Sequence, residues 1–178
     1  MSKKTLIVIG NGMVGHHFLE QLVATPASSD FDIKVFGEEK LLAYDRVHLS
    51  EYFGGSTHAD LAMGTADWYA GNNIELRLGE QVTGIDRTNR SITTPMGDYR
   101  YDELVLATGS YPFVPPFEGN DRPHCLVYRT LDDLDAIRAS SEGARTGVVV
   151  GGGLLGLEAA NALKSLGLAA HVVEFAPR

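Results

Sequence analysis

The chain has 178 residues, enough for one domain with a real core and short for two complete ones. With 44% hydrophobic residues, 21% charged residues and 20 glycines it reads as a folded α/β chain with many tight turns, which excludes a disordered or repeat protein. A net charge of −8 opposes nucleic acid or anionic membrane as partners, because phosphates need a basic surface to displace their counterions, and the single cysteine, Cys125, excludes internal disulfides, a CxxC pair and ligation of an iron–sulfur cluster.

The start, "MSKKTLIVIGNGMVG", places two lysines before an apolar run, but the run is short and breaks into glycines without a small-residue cleavage site. It is expected to be a buried strand over 5–9, of the β-branched kind found in a parallel sheet covered on both faces. No apolar stretch approaches the roughly 20 residues of a membrane helix, and the single thiol suits a reducing compartment, so the expected location is cytoplasmic.

The strand runs into "GNGMVG". Gly10 permits the tight turn, Gly12 lets backbone approach a pyrophosphate, and Gly15 lets the following helix, expected over 13–24, pack on the strand. Asn11, Met13 and Val14 complete the candidate contact set. The helix's unpaired N–H groups and positive dipole end hold a diphosphate without any lysine, which reconciles phosphate binding with an acidic chain.

A second strand, "FDIKVFGEE", ends in acid. Glu38 lies 23 residues after Gly15, near the spacing of about 20 at which a carboxylate reaches the ribose hydroxyls of a dinucleotide, and Glu39 is the alternative. Next comes "LAYDRVHLSEYF", with Tyr44, Asp45 and Arg46 before an expected helix start. Arg46 is a permanent cation, suited either to offset cofactor charge or to an exposed ion pair.

"TADWYAGNN" is expected to be a short helix that Trp68 and Tyr69 pack on the sheet. Residues 74–110 read as short strands with turns at "LGE", "RTNR" and "PMGD", a β-meander followed by the apolar strand "LVLA". At its carboxyl end "ATGS" lets backbone approach a ligand, which makes Ala107, Thr108 and Gly109 candidates to lie along a bound nucleotide. The prolines of "SYPFVPPFEG" then stiffen a connection, and Thr130 is placed to cap a helix in "LDDLDAI", with Asp132 and Asp133 in its first turn. His16 and His17 point to different sides of their helix and the other four histidines are scattered, so no metal site is expected.

The first pattern returns at "TGVVVGGGLLGLE". Here Gly147 begins the strand, Gly151, Gly153 and Gly156 take the three fingerprint positions, and Leu154 and Leu155 open the helix. "GLAAHVVEF" supplies the next strand, and Glu174, 18 residues beyond Gly156, is the second ribose-binding acid. An acid there favours NADH over NADPH, whose 2′-phosphate it repels. Two dinucleotide sites in one chain point to hydride transfer from a nicotinamide to a flavin, with FAD in the first site.

"VIGNGMVG", "VFGEE", "AYDRVHLS", "LVLATGSYPFVPP", "VYRTLDDLDAI" and "VVVGGGLLGLEAA" with "HVVEFAP" together resemble the pyridine nucleotide–disulfide oxidoreductase superfamily. Within it they are similar to the amino-terminal region of NAD(P)H-dependent nitrite reductase large subunits. The resemblance covers essentially the whole chain. It implies a Rossmann-like FAD-binding α/β domain with a parallel sheet and a β-meander over 1–110, a linker with a short helix over 111–145, and the start of a second Rossmann-like, NAD-binding unit over 146–178. It further implies FAD contacts from Gly10, Gly12, Gly15, Glu38, Arg46, the backbone of Val82 and residues 107–109, and NADH contacts from Gly151, Gly153, Gly156 and Glu174. Glu158, in the GxE after the second turn, is similar to the residue that faces flavin and nicotinamide in relatives, or is simply a helix-start acid.

This sequence departs from the pattern in three places. "AYDRVHLSEYFGG" has no redox cysteine, which removes thiol chemistry, and Glu51 stands where ferredoxin and rubredoxin reductases often have lysine. The rest of the NAD unit and the returning segment of the FAD domain do not follow. The expectation is therefore a piece of a nitrite reductase flavin module, with siroheme and iron–sulfur centres outside this chain. The alternatives are a reductase serving ferredoxin or rubredoxin, and a non-catalytic FAD-binding module. The exposed start of the second unit is expected to seek cover, from the remainder of the parent chain or from a second copy.

Overall fold

A computed structural model describes residues 2–177. In chain order the elements are β1 (Lys4–Ile9), α1 (Met13–Val23), a 3-10 turn (Pro26–Asp30), β2 (Phe31–Gly37), a 3-10 stretch (Leu49–Gly54), α2 (His58–Leu61) and α3 (Ala66–Gly71). There follow β3 (Ile74–Leu78), β4 (Gly84–Asp86), β5 (Ser91–Thr94), β6 (Gly97–Arg100), β7 (Glu103–Leu106), α4 (Leu131–Ser141), β8 (Thr146–Val150), α5 (Leu154–Ser165) and β9 (Ala169–Val173). Two compact units form, one from residues up to Asp45 with Ala62–Ser110, the other from Arg46–Leu61 with the stretch beginning at Tyr111.

In the first unit a parallel sheet has the order β3-β2-β1-β7. Strand alternation sends Leu6 and Val8 to one face, where they meet Leu19 of α1, Ile33, Val35, Tyr69 of α3 and Ile74. Ile7 and Ile9 face the other way, against Phe36 and Ile92. Ile92 belongs to the antiparallel meander β4-β5-β6, so helices cover one face of the sheet and the meander covers the other. This is why β1 is apolar at consecutive positions. The reading of 74–110 as one meander needs a correction at its first strand: β3 pairs in parallel with β2. Ile74 and Leu76, two residues apart, point to the α1/α3 face and join its core.

In the second unit β8 and β9 form a parallel pair joined by α5. Thr130 caps α4 through a reciprocal box: its hydroxyl accepts the N–H of Asp133, whose carboxylate accepts the N–H of Thr130. The guanidinium of Arg138 lies 4.0 Å from the Tyr52 ring centre and donates to the Tyr52 carbonyl at 2.8 Å, fixing α4 to the 3-10 stretch. That stretch, where a helix start was expected, ends at Gly55 in the left-handed region with φ 113°. Among the described residues no helix is long and apolar enough to cross a membrane.

Candidate functional site

The first glycine turn is built by close approach on two sides. Gly10 has φ 105°, and a Cβ on it would fall well inside 3.0 Å of the Ala107 carbonyl oxygen at the end of β7. A Cβ on Gly15 would likewise collide with the Gly10 carbonyl oxygen, so α1 begins directly against the turn. Gly12 differs: no atom lies within 4 Å of where its Cβ would stand. It is the N-cap of α1, no side chain caps the helix, and its first turn holds no acid. Crowded glycines behind and an open glycine in front give a helix N-terminus shaped to receive an anion.

The second turn repeats the helix side of this design, while no atom lies within 4 Å of where a Cβ on Gly151 would stand. Gly151 has φ 110°, a Cβ on Gly156 would collide with the Gly151 carbonyl oxygen, and Gly153, the uncapped N-cap of α5, has no atom within 4 Å of its Cβ position. The Gly10 N–H donates to Phe36 O at 2.8 Å and the Gly151 N–H to Val173 O at 2.8 Å, so the strand ends stand in matching register. That register shows one difference. Glu174 follows Val173 directly and accepts from the Gly152 N–H at 2.6 Å, whereas the matching place in the first unit is Gly37, and Glu38 comes one residue later.

Glu38 is exposed at the end of β2 and accepts from Gln81 Nε2 at 3.0 Å, while Glu39 accepts from the Tyr44 hydroxyl at 2.6 Å. The backbone N–H groups of Gly79 and Glu80 bond to the carbonyls of Glu39 and Gly37, which brings the start of the loop holding Val82 to the strand end. The Val82 side chain packs on the Ile7–Phe36 cluster. Ala107 donates its N–H to Ile9 O at 2.8 Å, and Gly109 has φ 70°. Residues 107–109 thus leave β7 beside the first turn.

Arg46 belongs to the second unit and donates to the Arg129 carbonyl at 3.1 Å. Val14, Leu154 and Leu155 are exposed at the two helix starts. Glu158 is exposed on α5, and its charge adds to burial in pushing the Tyr128 hydroxyl up to about 12.

The sequence reading missed one feature of the first turn. The Tyr69 hydroxyl, which burial pushes up to about 12, donates to Asn11 Oδ1 at 2.9 Å and lies 2.8 Å from Nδ1 of the buried His16. The signal available was helical period: His16 and Leu19, three apart, share the inward face of α1.

The family described as pyridine nucleotide-disulphide oxidoreductase matches residues 4–178. Among curated relatives, a nitrite reductase [NAD(P)H] large subunit of Klebsiella oxytoca is 57% identical over 99% of this chain and 19% of its own length. A nitrite reductase (NADH) large subunit of Escherichia coli K12 is 49% identical over 99% of this chain and 21% of its own. Among solved structures, a ferredoxin reductase for the CYP199A2 system from Rhodopseudomonas palustris superposes with a TM-score of 0.88 at 30% identity, over 99% of this chain and 44% of that one. The chain thus spans about a fifth of the length of these curated relatives.

Proposed function

The chain belongs to the pyridine nucleotide-disulphide oxidoreductase family, and on that premise we propose that its first glycine turn holds the diphosphate of FAD and its second that of NADH. The stretch then serves as part of the flavin-reducing module of an NAD(P)H-dependent nitrite reductase large subunit. The repeated turn carries the reading, since in each the N-cap glycine opens onto empty space while the third glycine is pressed against the carbonyl of the first. Such a turn fits a diphosphate, whose charge meets backbone amides at the positive end of a helix dipole.

When bound, the two cofactors supply hydride transfer from nicotinamide to flavin. This chain's residues bind and orient. Gly12 and Gly153 admit the diphosphates, Glu38 accepts from one ribose and Glu174 from the other, and Val82 and residues 107–109 flank the flavin nucleotide. Glu174 gives the second site its preference for NADH, because a carboxylate repels a 2′-phosphate. Siroheme and an iron–sulfur cluster would be held by other residues of the parent protein.

The test is titration of the 178-residue chain with FAD, followed by NADH oxidation in the full-length protein with either nitrite or a small iron–sulfur protein as acceptor. Faster oxidation with nitrite supports the nitrite reductase reading. The likeness to a ferredoxin reductase favours a second reading, which faster oxidation with the iron–sulfur protein would select. A chain that takes up no FAD would remove both.

A further inference from the structure

We propose that Tyr69 and His16 are positioning residues for the first glycine turn, forming with Asn11 a buried hydrogen-bonded chain that holds the turn in the shape that receives a diphosphate. The inference rests on the FAD reading above.

Asn11 stands between the crowded Gly10 and the open Gly12. Its side chain is tied to α3 by the Tyr69 hydroxyl at 2.9 Å, and Tyr69 is tied to α1 by His16 Nδ1 at 2.8 Å. His16 Nε2 lies 3.2 Å from the Met63 carbonyl oxygen and 3.6 Å from Glu20 Oε1. Glu20 and Tyr69 are the ionisable groups facing the imidazole, and the Trp68 ring, 4.9 Å away, walls it on another side. Gly64 completes the seat, because a Cβ there would come within 2.6 Å of His16 Cε1. Tyr69 and His16 are each 1% exposed.

Counting protons shows that the three side chains act together. Tyr69 has one hydroxyl proton. If it goes to Asn11 Oδ1, His16 needs protons on both nitrogens to satisfy Tyr69 and Met63, and Asn11 Nδ2 is left buried without a partner. If it goes instead to a neutral His16, the Asn11 amide turns over, donates Nδ2–H to the tyrosine oxygen and loses that orphan. In both arrangements the orientation of a side chain on the turn is coupled, through Tyr69 of α3, to a histidine on the helix that follows the turn.

The second turn shows why an anchor belongs at this point. Gly152 follows Gly151 as Asn11 follows Gly10, and its N–H is held directly by the Glu174 carboxylate. In the first unit Gly37 takes the matching strand-end place, where a Cβ would stand 3.2 Å from Asn11 Cβ. The two turns have exchanged their large residue, from strand end to turn. Each is tied down just after its first glycine, once by a carboxylate and once by the Asn11–Tyr69–His16 chain. A phenylalanine fills the same volume as Tyr69, so the hydroxyl is the part that packing does not explain.

The experiment titrates the 178-residue chain with FAD and with ADP by calorimetry, in wild type, Tyr69→Phe, His16→Phe, His16→Asn and the double variant Tyr69→Phe/His16→Phe, with thermal unfolding of each. Tyr69→Phe and His16→Phe should weaken both ligands by about threefold to tenfold, the size of one or two neutral hydrogen bonds. The double variant should lose no more than Tyr69→Phe alone. His16→Asn, whose amide reaches the place of Nδ1, should recover affinity to within about twofold. The phosphorus resonances of bound ADP should shift in Tyr69→Phe. If Tyr69→Phe does not fold, Gly64→Ala carries the test, since its methyl displaces the imidazole without deleting any polar group. Unchanged affinities in folded variants, or additive losses, would overturn the inference. A wild-type chain that binds neither FAD nor ADP would overturn the FAD reading together with it.

Discussion

Gly15 lies so close beneath Gly10 that a Cβ on the first would collide with the carbonyl oxygen of the second, and it is this contact that seats α1 on the strand it follows. Gly15→Ala should therefore lower stability by at least about 2 kcal/mol, because the methyl meets backbone that has nowhere to move. Gly12→Ala is the contrasting case. Its φ of −89° suits alanine and the space around it is open, so the fold should lose no more than about 1 kcal/mol. Yet the methyl stands where a diphosphate approaches, and FAD affinity should fall by about tenfold or more. Denaturant melts beside FAD titrations separate the two effects, and a Gly12→Ala chain that keeps wild-type affinity would remove the first turn as a phosphate site.

Much of this site was legible because its determinants are local. Glycines at 10, 12 and 15, and again at 151, 153 and 156, announce a strand–turn–helix whose conformation needs no distant partner. Thr130 with Asp133 announced a helix start for the same reason. What sequence could not supply was pairing across distance. β3 looked like a meander strand, and only the core around Leu6 and Val8 makes it the parallel neighbour of β2. Tyr69 looked like packing alone, because its hydroxyl partner is 58 residues away in the first turn. The acids at 38 and 174 read as equivalent by spacing, and the register of Phe36 and Val173 shows them offset by one residue.

Glu174 has two tasks under the proposal, holding the Gly152 N–H and accepting from the NADH ribose. Glu174→Gln retains an acceptor for the amide while removing the charge. The variant should fold as wild type, lose about tenfold in NADH affinity, as expected when a hydrogen bond to a charged group becomes neutral, and bind NADPH no worse than before. Calorimetry with both nucleotides checks it. An unchanged ratio of the two affinities would detach Glu174 from nucleotide choice.

The capping box of α4 makes a plain stability prediction. Thr130→Ala removes the acceptor for the Asp133 N–H and should lower stability by about 1 kcal/mol, since that donor is left at a helix start without a partner. Thr130→Ser keeps the oxygen and should recover most of the loss. Urea melts of the three chains decide it, and equal midpoints for alanine and wild type would show that the box contributes nothing.

Glu80 predicts how the first unit responds to acid. It is a buried carboxylate at the turn after β3, accepting from the Thr94 hydroxyl at 2.6 Å and from Arg77 at 3.3 Å. Burial is the largest single influence and pushes its pKa up, but hydrogen bonds from Thr94, Tyr99 and Arg77, with the guanidinium's charge, outweigh it and hold the group below the usual glutamate value. A carboxyl whose folded pKa is depressed contributes stability that is present above the unfolded value, about 4.3, and is lost as pH falls through the folded one. Glu80→Gln should therefore melt well below wild type at pH 7, with the gap narrowing once pH drops under about 4, where the wild-type carboxyl takes up its proton. Glu75, also held low, chiefly by its bond from Lys34, should leave some acid sensitivity in the variant. Melting temperatures measured from pH 7 to pH 3 give the test. A gap that stays constant across that range would mean that the Glu80 charge takes no part in holding β3 to the meander.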